Sequence, residues 1–355
     1  MTDLRAYAAP RRMLGRWTAW LILCAASLLS ACSTSKPPSP AEAQGQAQTV
    51  PAATLASWND GPSRRAITDF VQAVTQPGSP DFVPAEERIA VFDNDGTLWS
   101  EQPMYFQLMF ALDQVRTMAP SHPEWKTKPA FQAVLRNDSA ALAKLTTRDL
   151  LQIVGATQTG MDSDQYTSQV RQWLATARHP RFHVPYNTMT YAPMRELLDY
   201  LRAHGFKTYI VSGGEVEFMR VWAQQAYGIP PEQVIGSSFA AKFEMHDGKP
   251  RLMRLPKLGF YDDGPGKPVA IQHAIGRRPI FAFGNSDGDL QMLQWTSAGA
   301  GRRFAGLVHH TDAQREWAYD RDSKIGRLDK ALDEAQRQGW TIVDMEKEWS
   351  RVYAF

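Results

Sequence analysis

Cysteine is almost missing: Cys24 and Cys32 are the only two in 355 residues. A chain so poor in thiols cannot be a disulfide-stapled scaffold, so its stability has to come from a hydrophobic core. Excess charge of one sign is also missing. Lys and Arg number 39 against 37 Asp and Glu, with no long block of either, so the electrostatic footprint of a nucleic-acid binder is absent. No internal repeat is present. The apolar stretch Trp17–Ala31 is too short to span a bilayer comfortably. What remains is 43% hydrophobic and 21% charged, an ordinary globular composition.

That apolar stretch follows Arg5, Arg11, Arg12 and Arg16 and ends in Leu29-Ser30-Ala31-Cys32. A basic start, a short apolar run and small residues before a cleavage point predict a secretory signal over residues 1–31. Leu29-Ser30-Ala31-Cys32 resembles the bacterial lipobox, which implies that Cys32 becomes the lipidated first residue. Ser33 behind it implies an outer-membrane lipoprotein facing the periplasm. Removal of the signal takes away four Arg and one Asp, leaving 35 basic and 36 acidic side chains, and it removes Cys24, so no internal disulfide forms. Residues 32–60, rich in Ser, Pro, Ala and Gln, read as a flexible tether.

Beyond the tether, Ile67, Phe70, Val71 and Val74 recur at helical spacing. Ile89–Phe92 has the character of a buried strand and stops at Asp93-Asn94-Asp95-Gly96-Thr97. A second unit opens a helix at Pro193, closes it at Gly205, and leads through Lys207–Val211 to Ser212-Gly213-Gly214. A third starts at Lys267-Pro268 and continues into the strand Ile280–Phe283. That strand ends at Gly284-Asn285-Ser286-Asp287-Gly288-Asp289. Alternating helices and apolar strands predict an α/β fold with a largely parallel sheet, in which ligands gather beyond the carboxyl ends of the strands. All three polar clusters fall on such ends.

Carboxylates gathered within a few ångströms repel one another unless a cation neutralises them. Oxygen donors without His or Cys favour Mg²⁺ over Zn²⁺. Ser212 with the N–H groups of Gly213 and Gly214 makes an anion cradle, and Lys267 adds a positive charge. Metal, cradle, ammonium and a spare carboxylate together describe phosphoryl transfer.

These segments resemble the four ordered motifs of the haloacid dehalogenase superfamily, most closely its phosphoserine-phosphatase-like branch, over roughly residues 63–310. The resemblance implies a Rossmann-like parallel sheet with a helical cap inserted between the first and second motifs. It also implies Mg²⁺-dependent hydrolysis of a small phosphorylated metabolite through an aspartyl-phosphate. Asp93 is then the nucleophile and Asp95 the acid that later activates water; Ser212, Gly213 and Gly214 hold the phosphoryl oxygens and Lys267 bridges Asp93 and phosphate. Mg²⁺ would sit on Asp93, the Asp95 carbonyl and a residue of the fourth motif. Asp95 favours ester hydrolysis over dehalogenation, because dehalogenases lack the second Asp.

The fourth motif departs from the branch, since Asn285 and Gly288 stand where Asp and Asn are usual. The metal ligand there is Asn285 or Asp287, with charge favouring Asp287. Asp289 is expected to hold a metal-bound water or to position Lys267. The predicted boundaries are core over 61–99 and 191–355 and cap over 100–190, with helices at Tyr105–Val115, Ala130–Lys144 and Asp164–Thr176. Phe239–Met253 reads as a β-hairpin around His246-Asp247-Gly248. His179 and His183, interrupted by Pro180, read as exposed loop residues instead of a metal pair. Trp99, Tyr105 and Phe106 are placed to touch a leaving group or simply to pack. Two rival readings stay open: a non-catalytic envelope lipoprotein, suggested by the altered fourth motif, and a phosphomutase.

Overall fold

The structure is a computed structural model and describes residues 54–355, so the predicted signal, Cys32 and nearly all of the tether lie outside the described residues. Helix α1 (Pro62–Thr75) presents Ile67, Phe70, Val71 and Val74 as its buried stripe. Strand β1 (Ile89–Phe92) alternates in the manner of a strand buried on both sides. Ala90 and Phe92 join the core on one face of the sheet, and Ile89 and Val91 join the core on the other.

Between β1 and β2 (Lys207–Glu215) run α2 (Phe106–Met118), α3 (Pro129–Leu135), α4 (Ser139–Leu142), α5 (Thr147–Gln158), α6 (Ser163–Thr176) and α7 (Ala192–Ala203). The predicted helix over Ala130–Lys144 is broken in two. Asn137 takes a left-handed φ of 51°, and Asp138 restarts the helix by accepting a hydrogen bond from Ala141 N–H. Helix α5, absent from the sequence reading, is announced by the capping box of Thr146 and Asp149. Helices α2, α3 and α5 enclose a small core of their own around Leu112, Trp125, Phe131 and Ile153. Tyr166, Val170 and Trp173 of α6 belong to the main core.

After β2 come the short helices α8 (Val216–Arg220) and α9 (Ala223–Tyr227), then β3 (Val234–His246) and β4 (Lys249–Phe260), which pair antiparallel as the predicted hairpin. The chain continues through α10 (Gly266–Ala274), β5 (Phe281–Gly284), α11 (Leu290–Ser297), β6 (Phe304–Thr311), β7 (Ala318–Tyr319), α12 (Lys330–Gln338), β8 (Thr341–Asp344) and α13 (Met345–Glu348). The sheet order is β4-β3-β2-β1-β5-β6-β7, with β8 also on β6; among these pairings only β3–β4 and β6–β7 are antiparallel. β1 is therefore flanked by β2 and β5, and the three predicted polar loops leave neighbouring strands at the same edge. Residues 57–59 lie beside 348–350: Trp58 bridges Trp349, Asn59 N–H donates to Glu348 and Ser350 N–H to Ser57. Among the described residues, no helix is long and apolar enough to cross a membrane.

Candidate active site

The loop after β1 folds back on itself at Gly96, whose φ of 73° suits glycine. A Cβ there would collide with the side chains of Asn285 and Glu101, so the position demands glycine by space as well. Gly96 N–H donates to Trp99 C=O, and Thr97, Leu98 and Trp99 all donate to Asn94 C=O. This turn holds Asp93 and Asp95 beside the ends of β2 and β5.

Lys267, at the start of α10, is buried and uses all three ammonium protons. Its Nζ donates to Asp93 Oδ1 and Asp289 Oδ1, both at 2.6 Å, and to the Val211 carbonyl at 3.0 Å. Burial alone would lower its pKa, but Asp289 and Asp93 outweigh that and hold the ammonium charged. The other oxygen of Asp289 accepts from the N–H groups of Asn285 and Ser286, both at 3.0 Å, which locks the loop after β5 around it. Of its two expected roles, the contacts match the positioning of Lys267. Burial and repulsion from Asp289 push the Asp93 carboxyl well above the usual carboxylate range, with Lys267 opposing them. Burial raises Asp95 to about 6, restrained by the Trp99 indole N–H, which donates to Asp95 Oδ1 at 2.6 Å.

Ser212 Oγ accepts from Gly214 N–H at 3.1 Å, and the pairing of β2 with β3 shifts register between Ser212 and Glu215, so the serine and glycines form an irregular end to β2. The helix behind it, α8, has only five residues and is capped by the Glu215 side chain, which accepts from Phe218 N–H. The donors available at this point are therefore a local hydroxyl and backbone N–H groups, with little from a helix dipole.

Asp287, preferred on charge as the metal ligand of the fourth motif, has its Oδ1 turned to the start of α12, where it accepts from the N–H groups of Asp329 and Ala331, both at 2.9 Å. Asn285 lies buried inside the site instead, its amide oxygen accepting from Thr97 Oγ1 and its Nδ2 donating to Glu101 Oε1 at 2.7 Å. Glu101 is a functional candidate that the sequence reading missed. It lines the same cavity, and its Oε1 also accepts from Tyr319 OH at 2.7 Å. Burial, together with Asp95 and Asp93 nearby, raises its pKa well above normal against the hydrogen bonds that favour the ion.

Behind the turn, His310 meets the Gly96 carbonyl at 2.8 Å and Glu316 at 3.2 Å. It supports the turn at Gly96 and does not line the cavity. His179 is buried, contrary to the expectation of an exposed loop residue, with its Nε2 against the Gln102 carbonyl and its Nδ1 accepting from Arg181 and Phe182 N–H. Trp99 and Phe106 are core residues, Trp99 stacking on Trp222 with ring centroids 4.0 Å apart, whereas Tyr105 lines the cavity. Asp93, Asp95, Ser212, Gly213, Gly214 and Lys267 all reach this one cavity of about 590 Å³, as does Ser286 from the fourth motif.

A sequence model of the haloacid dehalogenase-like hydrolases matches residues 90–294, more than half of the chain. No curated protein matches it. Among solved structures it is similar to a conserved, functionally unknown protein from Anaerococcus prevotii DSM 20548 (16% identity, 79% of this chain and 90% of that one, TM-score 0.50). A protein of unknown function from Bordetella pertussis Tohama I matches at 15% identity over 73% of this chain and 99% of that one, with a TM-score of 0.46. A phosphoserine phosphohydrolase-like protein from Francisella tularensis subsp. tularensis SCHU S4 matches at 16% identity, with coverages of 71% and 99% and a TM-score of 0.35. At such identities the likeness concerns the fold.

Proposed function

The chain belongs to the haloacid dehalogenase-like hydrolases, and from that premise we propose that it hydrolyses phosphate monoesters through an aspartyl-phosphate on Asp93. The observation that carries this reading is the buried contact of Lys267 with both Asp93 and Asp289, set beside Asp95 and the Ser212 loop in one cavity. An intact nucleophile–ammonium pair supports turnover over a retired, ligand-binding site.

In the proposed reaction an Asp93 carboxylate oxygen attacks phosphorus while the bond to the ester oxygen breaks. Asp95, held near 6 and so able to exchange its proton at working pH, gives that proton to the leaving oxygen. The resulting carboxylate then takes a proton from a water that attacks the aspartyl-phosphate, releasing inorganic phosphate and regenerating Asp93. Lys267 balances charge on Asp93, and Ser212 with its glycines receives the phosphoryl oxygens.

Mg²⁺ fits the donor set. Asp93 and Asp289 hold one ammonium, and the carboxyl groups of Asp95 and Glu101 stand near Asp93, a gathering of acidic groups around a single cation that a divalent ion offsets. Among the described residues no three His, Cys, Asp or Glu side chains form a ready cage. Mg²⁺ needs none, since it keeps several waters and takes one or two carboxylates plus substrate oxygens. The Asp93 carboxylate and the Asp95 carbonyl, with the Asn285 amide oxygen or Glu101, would hold it. When bound, the cation neutralises charge developing on the phosphoryl group.

The test is hydrolysis of an aryl phosphate with and without Mg²⁺. Asp93→Asn should lower turnover by about 10³-fold or more, and a variant with full, metal-dependent activity would sink the reading. The residues around Cys32 support a lipid-anchored, periplasm-facing location, most consistent with the outer membrane. Metabolic labelling with a fatty acid should mark the protein and fail to mark Cys32→Ser; equal labelling of both would refute the anchor.

A further inference from the structure

The cavity is chemically divided. Its charged part is built by the strand-end loops, with Asp93, Asp95, Ser212 and Lys267. Much of the rest of its wall is apolar and comes from other elements: Leu108 of α2, Leu151 and Val154 of α5, Phe239 and Leu258 of the β3–β4 hairpin, and Tyr261, with Gln107, Ser237 and Ser238 as neutral polar neighbours. Several of these large apolar side chains are left wet, with Leu151 55% exposed, Leu258 44% and Tyr261 58%. Apolar groups that line a concave site and face water gain most from a ligand that covers them with apolar surface.

The charge pattern points the same way. Among the described residues that line the cavity, Lys267 is the only cation, and its three protons are already committed to Asp93, Asp289 and Val211. The remaining ionisable carboxyl groups of the lining, Glu101, Glu215 and Asp263, add to Asp93 and Asp95, so every one of the five is acidic. Glu215 is answered from outside the cavity wall by Arg254. A substrate with a second anionic group, such as a carboxylate or a further phosphate, would meet carboxylates and no free cation, an arrangement that repels wrong partners.

Resting on the phosphomonoesterase reading above, we infer that the substrate is a monoester whose alcohol portion is apolar and carries no charge. The alcohol lies against the α2, α5 and hairpin side chains while the single phosphate occupies the strand-end loops. The helical insertion and the hairpin thus jointly select the leaving group, and the phosphoserine-like class, with its carboxylate and ammonium, is disfavoured.

The experiment compares kcat/KM of the full chain, in detergent and with Mg²⁺, on benzyl phosphate, phosphoserine, a sugar bisphosphate and choline phosphate. Benzyl alcohol is no better a leaving group than the serine hydroxyl, so a difference reports recognition. Benzyl phosphate should lead each of the others by at least about tenfold. Leu151→Arg, on an exposed position of α5, places a cation at the rim. It should narrow the ratio of benzyl phosphate to phosphoserine by about tenfold while the circular dichroism stays unchanged. Turnover in which a charged ester equals or leads benzyl phosphate, or a ratio untouched by Leu151→Arg, overturns this inference and leaves the phosphatase reading standing. No turnover of any ester overturns the phosphatase reading and this inference with it.

Discussion

Trp99 ties the proposed acid–base group to the core: one edge of its indole donates to Asp95 and its face stacks on Trp222. Asp95 must be protonated to release the alcohol, so kcat/KM should fall as pH rises through about 6. The indole bond favours the ionised carboxylate and thus pulls this pKa down against burial. Trp99→Phe removes that pull, and the falling limb should move to higher pH; a limb that stays put in the pH–rate profile would separate Asp95 from it. Asp93, Asp95, Ser212 and Lys267 were legible in the sequence because each adjoins a strand end or helix start whose pattern is local. Trp99 and Glu101 were not assigned their contacts, although they stand only four and six positions after Asp95. Their directions depend on the reversal at Gly96, and Glu101 also on Asn285 and Tyr319 arriving from far along the chain. The contacts of Asp287 were hidden for the converse reason, since what its Oδ1 meets is the start of α12, more than forty residues downstream.

Between elements, the decisive contact is Arg254 of β4. Its buried guanidinium pairs with Glu215 at 3.2 Å and with Glu217, donates to the Gln158 carbonyl at the end of α5, and lies over the Tyr166 ring of α6 at 3.7 Å. Its backbone bonds Gly160 and Met161 between those two helices. One residue thereby joins the hairpin, the helical insertion and the residue that follows the Ser212 loop. Arg254→Ala leaves Glu215 buried without its cation and should cost about 3 kcal/mol or more of stability, read as a lower denaturation midpoint. An unchanged midpoint would show that the clamp carries no load. Strands β1, β2 and β5 were readable because short apolar runs bounded by polar turns have few other uses. The clamp left no such trace, since an arginine in a hairpin pattern looks like any solvated charge until three other elements close around it.

At the scale of the whole molecule, pH should act on stability through Asp262. This carboxylate is buried beside the Ser212 backbone. Burial pushes it up to about 7, with Lys267 opposing. From its ordinary value of 3.8 up to about 7 the folded chain therefore holds a proton that the unfolded chain releases, and this group lowers stability as pH rises through that window. Asp262→Asn has no such proton, so its unfolding free energy, measured by urea denaturation at about pH 5 and about pH 8, should fall less between the two than that of the parent. Equal falls would remove Asp262 as the source. A different property follows from the pairing of residues 57–59 with 348–350. The two ends of the described chain meet side by side, so the fold is close to a closed loop of elements in which the order of synthesis and the order of assembly are separable. A chain rejoined across that seam and opened at the Asp247–Gly248 turn would retain the same neighbours around Asp93, since β2, β1 and β5 keep their places in the sheet.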